Sequence, residues 1–136
     1  MDISEIKKIL KQREPFLMLD RVIELNSSEC LASKIFKENE YFFKGHFPEN
    51  PVVPGVILIE ALAQTASIIV LSEDRSKNAI LSGVEKIKFK KVVLPNKEIT
   101  LKARIKNKFE NFYILRVDAK DEEDVVVTGE IILTVI

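Results

Sequence analysis

Pro54-Gly55-Val56-Ile57-Leu58-Ile59-Glu60-Ala61-Leu62-Ala63-Gln64-Thr65-Ala66-Ser67-Ile68-Ile69-Val70-Leu71 is the stretch on which the fold turns. Proline at a first helical position is a start signal, because the N–H it lacks has no helical partner there anyway. The polar Ser72-Glu73-Asp74 then closes the run. Apolar residues fall on every face of the predicted helix, so other elements must surround it. A membrane span is the rival reading, since eighteen residues reach about 27 Å. Glu60 in the first third, with Gln64, Thr65 and Ser67 behind it, argues against burial in lipid.

Working outward, Ile3, Ile6, Ile9 and Leu10 recur at helical spacing behind Asp2 or Ser4 as N-cap, which predicts a short amphipathic helix. Residues 17–25 and 30–36 read as two strands joined by a polar turn at Asn26-Ser27-Ser28. Residues 38–54 hold three of the five prolines and read as a structured loop, with a helical turn near Tyr41-Phe42-Phe43. Downstream, strands are predicted over 80–84, 87–93, 99–109, 112–119 and 125–136. The third of these alternates Ile99, Leu101, Ala103 and Ile105 with Thr100, Lys102, Arg104 and Lys106, and Asp121-Glu122-Glu123-Asp124 forms the acidic turn between the last two. One apolar helix among antiparallel-looking strands predicts an α+β fold, a curved antiparallel sheet wrapped around one long central helix. No repeat or linker interrupts residues 1–136, which read as one domain. A sheet covers one side of a helix, so a second copy of the chain is expected to cover the other, giving a homodimer.

Composition narrows the function. Over 136 residues, 46% apolar and 31% charged content excludes a disordered or collagen-like chain. Lys+Arg and Asp+Glu tie at 21 each, so no net field argues for nucleic acid or an anionic membrane. The one cysteine, Cys30, permits no intrachain disulfide and reads as a core residue of a strand. Met1-Asp2-Ile3-Ser4-Glu5 has neither a basic nor an apolar leader pattern, so the expected location is cytoplasmic. The charge is uneven along the chain, however. Residues 85–108 carry nine Lys and Arg against Glu85 and Glu98, either the wet face of strands or a stripe for an acidic partner.

The chain has one histidine, His46, in Lys44-Gly45-His46-Phe47-Pro48-Glu49-Asn50-Pro51-Val52-Val53-Pro54-Gly55, and Glu60 follows inside the apolar helix. A single loop histidine reads as structural or catalytic. A carboxylate in an apolar helix needs either an ion-pair partner or a raised pKa. Together the two suit acid–base work, a neutral imidazole accepting a proton and a protonated carboxyl donating one. Gly55 stands at the helix's amino end, where free N–H groups favour negative charge and the missing side chain lets a substrate carbonyl approach. Base, acid and oxyanion donor are the parts needed to remove a proton beside a carbonyl and expel a β-hydroxyl. There is no G-x-S-x-G elbow, no phosphate-binding glycine pattern and no second His or Cys for a zinc site. The basic stripe lacks the interleaved aromatics of a nucleic-acid surface.

Gly45-His46-Phe47-Pro48-x-x-Pro51-Val52-x-Pro54-Gly55-Val56, running into Glu60-Ala61-Leu62-Ala63-Gln64, closely resembles the 3-hydroxyacyl-[acyl-carrier-protein] dehydratases of bacterial fatty acid synthesis, of the FabZ type. Arg13, Pro15-Phe16-Leu17, Asp20-Arg21-Val22 and Val84-Glu85-Lys86-Ile87-Lys88-Phe89-Lys90-Lys91 extend the similarity over nearly the whole chain. The resemblance implies a hotdog fold in a homodimer, assembled as a trimer of dimers, with His46 of one subunit working beside Glu60 of the other. It implies that His46 takes the α-proton, Glu60 handles the departing hydroxyl and the Gly55 N–H polarises the thioester carbonyl. Phe47, Val56 and Gln64 fall in the substrate-binding part of the motif, and Ile80 and Leu81 in the acyl tunnel. No cofactor or metal is implied. The implied partner is acyl carrier protein bearing a 4'-phosphopantetheine-linked acyl chain, with Lys86, Lys88, Lys90 and Lys91 as its docking residues. Glutamate rather than aspartate at position 60 favours plain dehydration over dehydration with isomerisation. The chain departs from the family's usual pattern at Lys11-Gln12-Arg13-Glu14, at Glu49, at Pro95-Asn96-Lys97 and at Ile80, where members often carry a gating tyrosine. A hotdog thioesterase and a non-catalytic carrier-binding subunit of a lipid synthase are the alternative readings.

Overall fold

In the computed structural model, which describes residues 1–136, Asp2 starts the first helix, α1 (Ile3–Ile9). Asp2 accepts the Glu5 N–H at 3.0 Å and Glu5 reaches back to the Asp2 N–H, a reciprocal cap that satisfies two otherwise free donors. Ile6 and Ile9 turn inward from α1. The strands are β1 (Arg21–Leu25), β2 (Glu29–Ile35), β3 (Ala79–Phe89), β4 (Glu98–Phe109), β5 (Phe112–Asp121) and β6 (Asp124–Val135), and the apolar run is α2 (Gly55–Leu71). The strands form one antiparallel sheet in the order β1-β2-β4-β5-β6-β3 around α2, which is the hotdog fold expected. A 3-10 turn, Tyr41–Lys44, stands where a helical turn is predicted.

Leu58, Leu62 and Ile68 of α2 meet Leu101, Leu115 and Ile131 of the sheet in a single apolar core. Each such side chain contributes about 1.5–3 kcal/mol by leaving water. Alternation along β4 buries Ile99, Leu101 and Ala103 and leaves Lys102 and Arg104 in solvent, so the wet-face reading holds for those cations. Pro54 is the N-cap of α2 rather than its first residue.

Three expectations are corrected. Residues 17–20 are not strand. Leu17, Met18 and Leu19 are all buried, and the Met18 N–H donates to the Gln64 side chain at 2.7 Å instead of to a neighbouring strand. That segment lies over α2, so the helix is covered on its far side within one chain, and the expected bare helix face is absent. Exposed apolar surface lies instead on β3, the sheet's edge, at Ile80, Leu81, Val84 and Phe89. Finally, residues 80–84 and 87–89 belong to one strand with a bulge between Glu85 and Lys88, and residues 90–93 lie outside it. Lys86 takes a left-handed φ of 55° at that bulge, which breaks the alternation the sequence shows.

Gly129 of β6 packs directly on the bulge. A Cβ there would meet the Ile87 side chain, with the Ile87 Cα at 3.0 Å and the Glu85 carbonyl oxygen at 3.2 Å. Backbone atoms cannot rotate away. Gly129→Ala is therefore expected to cost about 1–3 kcal/mol, read as a lower urea midpoint, and an unchanged midpoint would contradict this packing.

Candidate active site

His46 follows the 3-10 turn and is partly buried, with its Nδ1 2.9 Å from the Val52 carbonyl oxygen. A carbonyl only accepts, so Nδ1 carries a proton, and in the neutral ring the lone pair is then on Nε2. Nε2 has no partner in the chain, which is the state a general base needs. Val52 itself is held from the next residue, since the Val53 N–H donates to the Val93 carbonyl at 2.8 Å. Phe47 stacks at a tilt on His46, 4.5 Å between ring centres, and its left-handed φ of 54° aims it outward at 62% exposure. With Pro48, Glu49 and Asn50 it lines a hollow of about 380 Å³.

Glu60 stands half-buried on α2, and no basic side chain pairs with it, so the ion-pair reading is not realised. Burial pushes its carboxyl above the usual range, opposed by one hydrogen bond from Gln64. Gln64, one turn on and fully buried, accepts the Met18 N–H and donates to the Phe16 carbonyl at 2.8 Å and to Glu60 Oε1 at 3.0 Å. Both amide donors are thereby committed. Gln64 thus holds Glu60, and its amide N–H groups are both engaged within the chain. Glu60 Oε2 has no partner, and no sealed side-chain oxygen or nitrogen in the chain lacks one, so this oxygen is reachable from solvent.

The raised carboxyl has a stability consequence. In the fold Glu60 holds its proton more tightly than in the unfolded chain, so its charged form destabilises the protein once pH rises through the folded pKa. That penalty fades as pH falls toward the ordinary carboxylate value of about 4. Glu60→Gln is expected to raise the Tm by a few degrees above neutrality, with a gain that shrinks on acidification. A Tm gain independent of pH would contradict this assignment.

At the amino end of α2, the Ile57 and Leu58 N–H groups bond to the Pro54 carbonyl at 3.0 and 3.2 Å, while the Gly55 and Val56 N–H groups find no acceptor in the chain. Val56 is 72% exposed. These two amides are free donors beside a positive helix end. The open side of Gly55 faces the chain's own Phe89. A Cβ on Gly55 would stand 2.8 Å from Phe89 Cζ, so part of the room expected for a substrate is filled by that ring. Phe89 is the residue sequence reasoning missed. Only a long-range contact between the end of β3 and the start of α2 reveals it.

Within one chain no hydrogen bond or ion pair joins His46 to Glu60. Ile80 lines a separate cavity of about 260 Å³ with Ser67, Leu71 and Ala79, whereas Leu81 stands outside it, opposite Leu133 of β6. Lys86, Lys88 and Lys90 are exposed and make no ion pair. Lys91 differs, being bound to Asp121 at 3.3 Å and Asp124 at 3.0 Å, which raises its pKa chiefly through the Asp124 bond and commits it internally. Cys30 is buried and its thiol is pushed up to about 12, too high for a nucleophile near neutrality. Neither helix is long and apolar enough to cross a membrane.

Known proteins resemble the chain closely. The FabA-like domain family matches residues 10–133. A 3-hydroxyacyl-[acyl-carrier-protein] dehydratase FabZ of Streptococcus agalactiae is 45% identical over 106 residues, 76% of each chain. That of Syntrophobacter fumaroxidans is 38% identical across 99% of this chain and 94% of its own. Among solved structures, the dehydratase heterocomplex ApeI:P of Xenorhabdus doucetiae superposes with a TM-score of 0.81 at 14% identity, over 95% of this chain and 89% of that one. At that identity the likeness speaks for the fold alone.

Proposed function

The chain belongs to the FabA-like domain family, and from that premise we propose that it is a hydro-lyase converting (3R)-3-hydroxyacyl-acyl carrier protein to trans-2-enoyl-acyl carrier protein in fatty acid biosynthesis. The observation that carries the mechanism is the pairing of complementary proton states. His46 Nε2 is free to accept, and the Glu60 carboxyl is biased by burial toward its protonated form. His46 takes the α-proton of the thioester. The electrons of that C–H bond form the double bond, the Cβ–O bond breaks, and Glu60 Oε2 gives its proton to the leaving hydroxyl as water. The Gly55 and Val56 N–H groups hold the negative charge on the thioester oxygen. His46 ends protonated and Glu60 ionised, and proton return through water resets the pair.

His46 and Glu60 act across subunits in this reading, and within one chain neither is tied to the other by a hydrogen bond. The apolar, unpaired edge of β3 is the surface for a homodimer, and three such dimers form the hexamer. Lys86, Lys88 and Lys90 receive the acidic carrier, and its 4'-phosphopantetheine arm brings the acyl chain in. Phe47 and Val56 border the entry, and Ile80 lines the acyl end. A cytoplasmic location is part of the same reading.

Following enoyl thioester absorbance with a thiol reagent present tests it. Enoyl signal without thiol release is expected. Thiol release without enoyl signal would make the protein a thioesterase, and neither signal would leave it a carrier-binding subunit.

A further inference from the structure

Lys34 of β2 is a buried charge that the elimination does not use. Its side chain is 11% exposed, with Nζ 3.1 Å from Glu40 Oε1 and 3.4 Å from Asp20 Oδ1. The Phe36 ring lies 5.7 Å below the ammonium and helps to exclude water. A buried ion pair is weak evidence for stability, because desolvation offsets much of the attraction, so a role in fixing geometry is the better question.

Each carboxylate stands at the root of the segment that carries or seats one of the two catalytic groups. Glu40 directly precedes the Tyr41–Lys44 turn, and its carbonyl accepts the Phe43 N–H at 3.2 Å. Its side chain makes no capping bond to that turn and goes to Lys34 instead. The turn closes with the Gly45 N–H on the Phe42 carbonyl at 3.3 Å, and His46 is the next residue. On the other side, Asp20 Oδ2 accepts the Ile35 N–H at 2.7 Å, fixing Asp20 on β2. Two residues before Asp20 lies Met18, whose N–H locks Gln64 and through it Glu60.

We propose that Lys34 is a positioning residue for the elimination, its ammonium anchoring to β2 both the His46 turn and the segment that seats Glu60, so that each chain presents both groups correctly to the two sites it shares with its partner. The proposal rests on the roles given above to His46 and Glu60. A displacement near 1 Å at a reacting group costs up to about 100-fold in rate, so loss of this tie is read in kcat before it is read in binding.

The test uses the purified full chain with a (3R)-3-hydroxyacyl carrier-protein thioester, measuring kcat, KM and Tm for Lys34→Met, Lys34→Arg and Glu40→Ala. Lys34→Met is expected to lower kcat by about tenfold or more with KM within about twofold, and Lys34→Arg to recover most of it, since a guanidinium can span both carboxylates. Glu40→Ala cuts only the tie to the turn, leaves Lys34 on Asp20, and keeps the proposal testable if Lys34→Met does not fold. It is expected to lower kcat several-fold. A folded Glu40→Ala enzyme with wild-type kcat, or a loss confined to KM, would overturn the proposal alone. Undiminished elimination by His46→Ala or Glu60→Gln would overturn the site assignment and the proposal with it.

Discussion

Replacing His46 by alanine is expected to lower kcat for elimination by about 1,000-fold and to leave the fold intact. The imidazole makes one hydrogen bond, to the Val52 carbonyl, stacks on the exposed Phe47 and lies outside the apolar core, so the core does not depend on it. Its loss removes the one free nitrogen base of the site. Glu60→Gln is expected to lower kcat comparably, because an amide at that place cannot give up a proton. The pair also tests the subunit arrangement. In a dimer built of one His46→Ala and one Glu60→Gln subunit, sites assembled across subunits leave one site with both groups. Random mixing of the two dead proteins should then recover about a quarter of wild-type activity. Sites assembled within one chain would recover nothing.

Gly55→Val is expected to lower kcat by about 100-fold or more. Two effects act together. A side chain at position 55 drives into the Phe89 ring, whose Cζ is 2.8 Å from the new Cβ, and the recoil moves the helix end that carries the free Gly55 and Val56 amides. The atoms met are the far end of the Phe89 side chain rather than backbone, so the ring can turn aside and the protein should still fold. Combining Gly55→Ala with Phe89→Leu separates the effects. Activity returning in the double variant assigns the loss to the displaced helix end. Activity staying low assigns it to the space that the substrate itself needs at Gly55.

Where a residue's environment is set by its near neighbours, the sequence is readable. The all-round apolarity of residues 56–71 announces a surrounded helix, and one wet face gives β4 its alternation. The N-terminal helix follows from the spacing of Ile3, Ile6, Ile9 and Leu10 behind a capping residue, which is Asp2. Elements whose environment is set by distant parts are not readable in this way. Leu17, Met18 and Leu19 look like a strand because they are apolar in succession, but their backbone partner is a side chain of α2. β3 looks like two strands because an edge strand with little buried surface has no face to display, and the left-handed Lys86 interrupts what pattern there is. In the site, His46, Glu60 and Gly55 stand out as residue types that burial or turn chemistry does not explain. Gln64 also stands out, but its task is hidden, since its partners Phe16 and Met18 lie far back in the chain. Asn96, at one of the departures from the family pattern, takes a left-handed φ of 68°, a conformation that asparagine adopts more readily than most side chains.

The most direct measurement of the central claim is the intact mass of a (3R)-3-hydroxyacyl carrier-protein thioester after incubation with the wild-type protein, with Glu60→Gln alongside. Loss of one water in the wild-type reaction, and an unchanged mass with Glu60→Gln, is the expected result. Retention of the hydroxyl by the wild-type protein at every chain length, or release of the free carrier thiol in its place, would contradict the account.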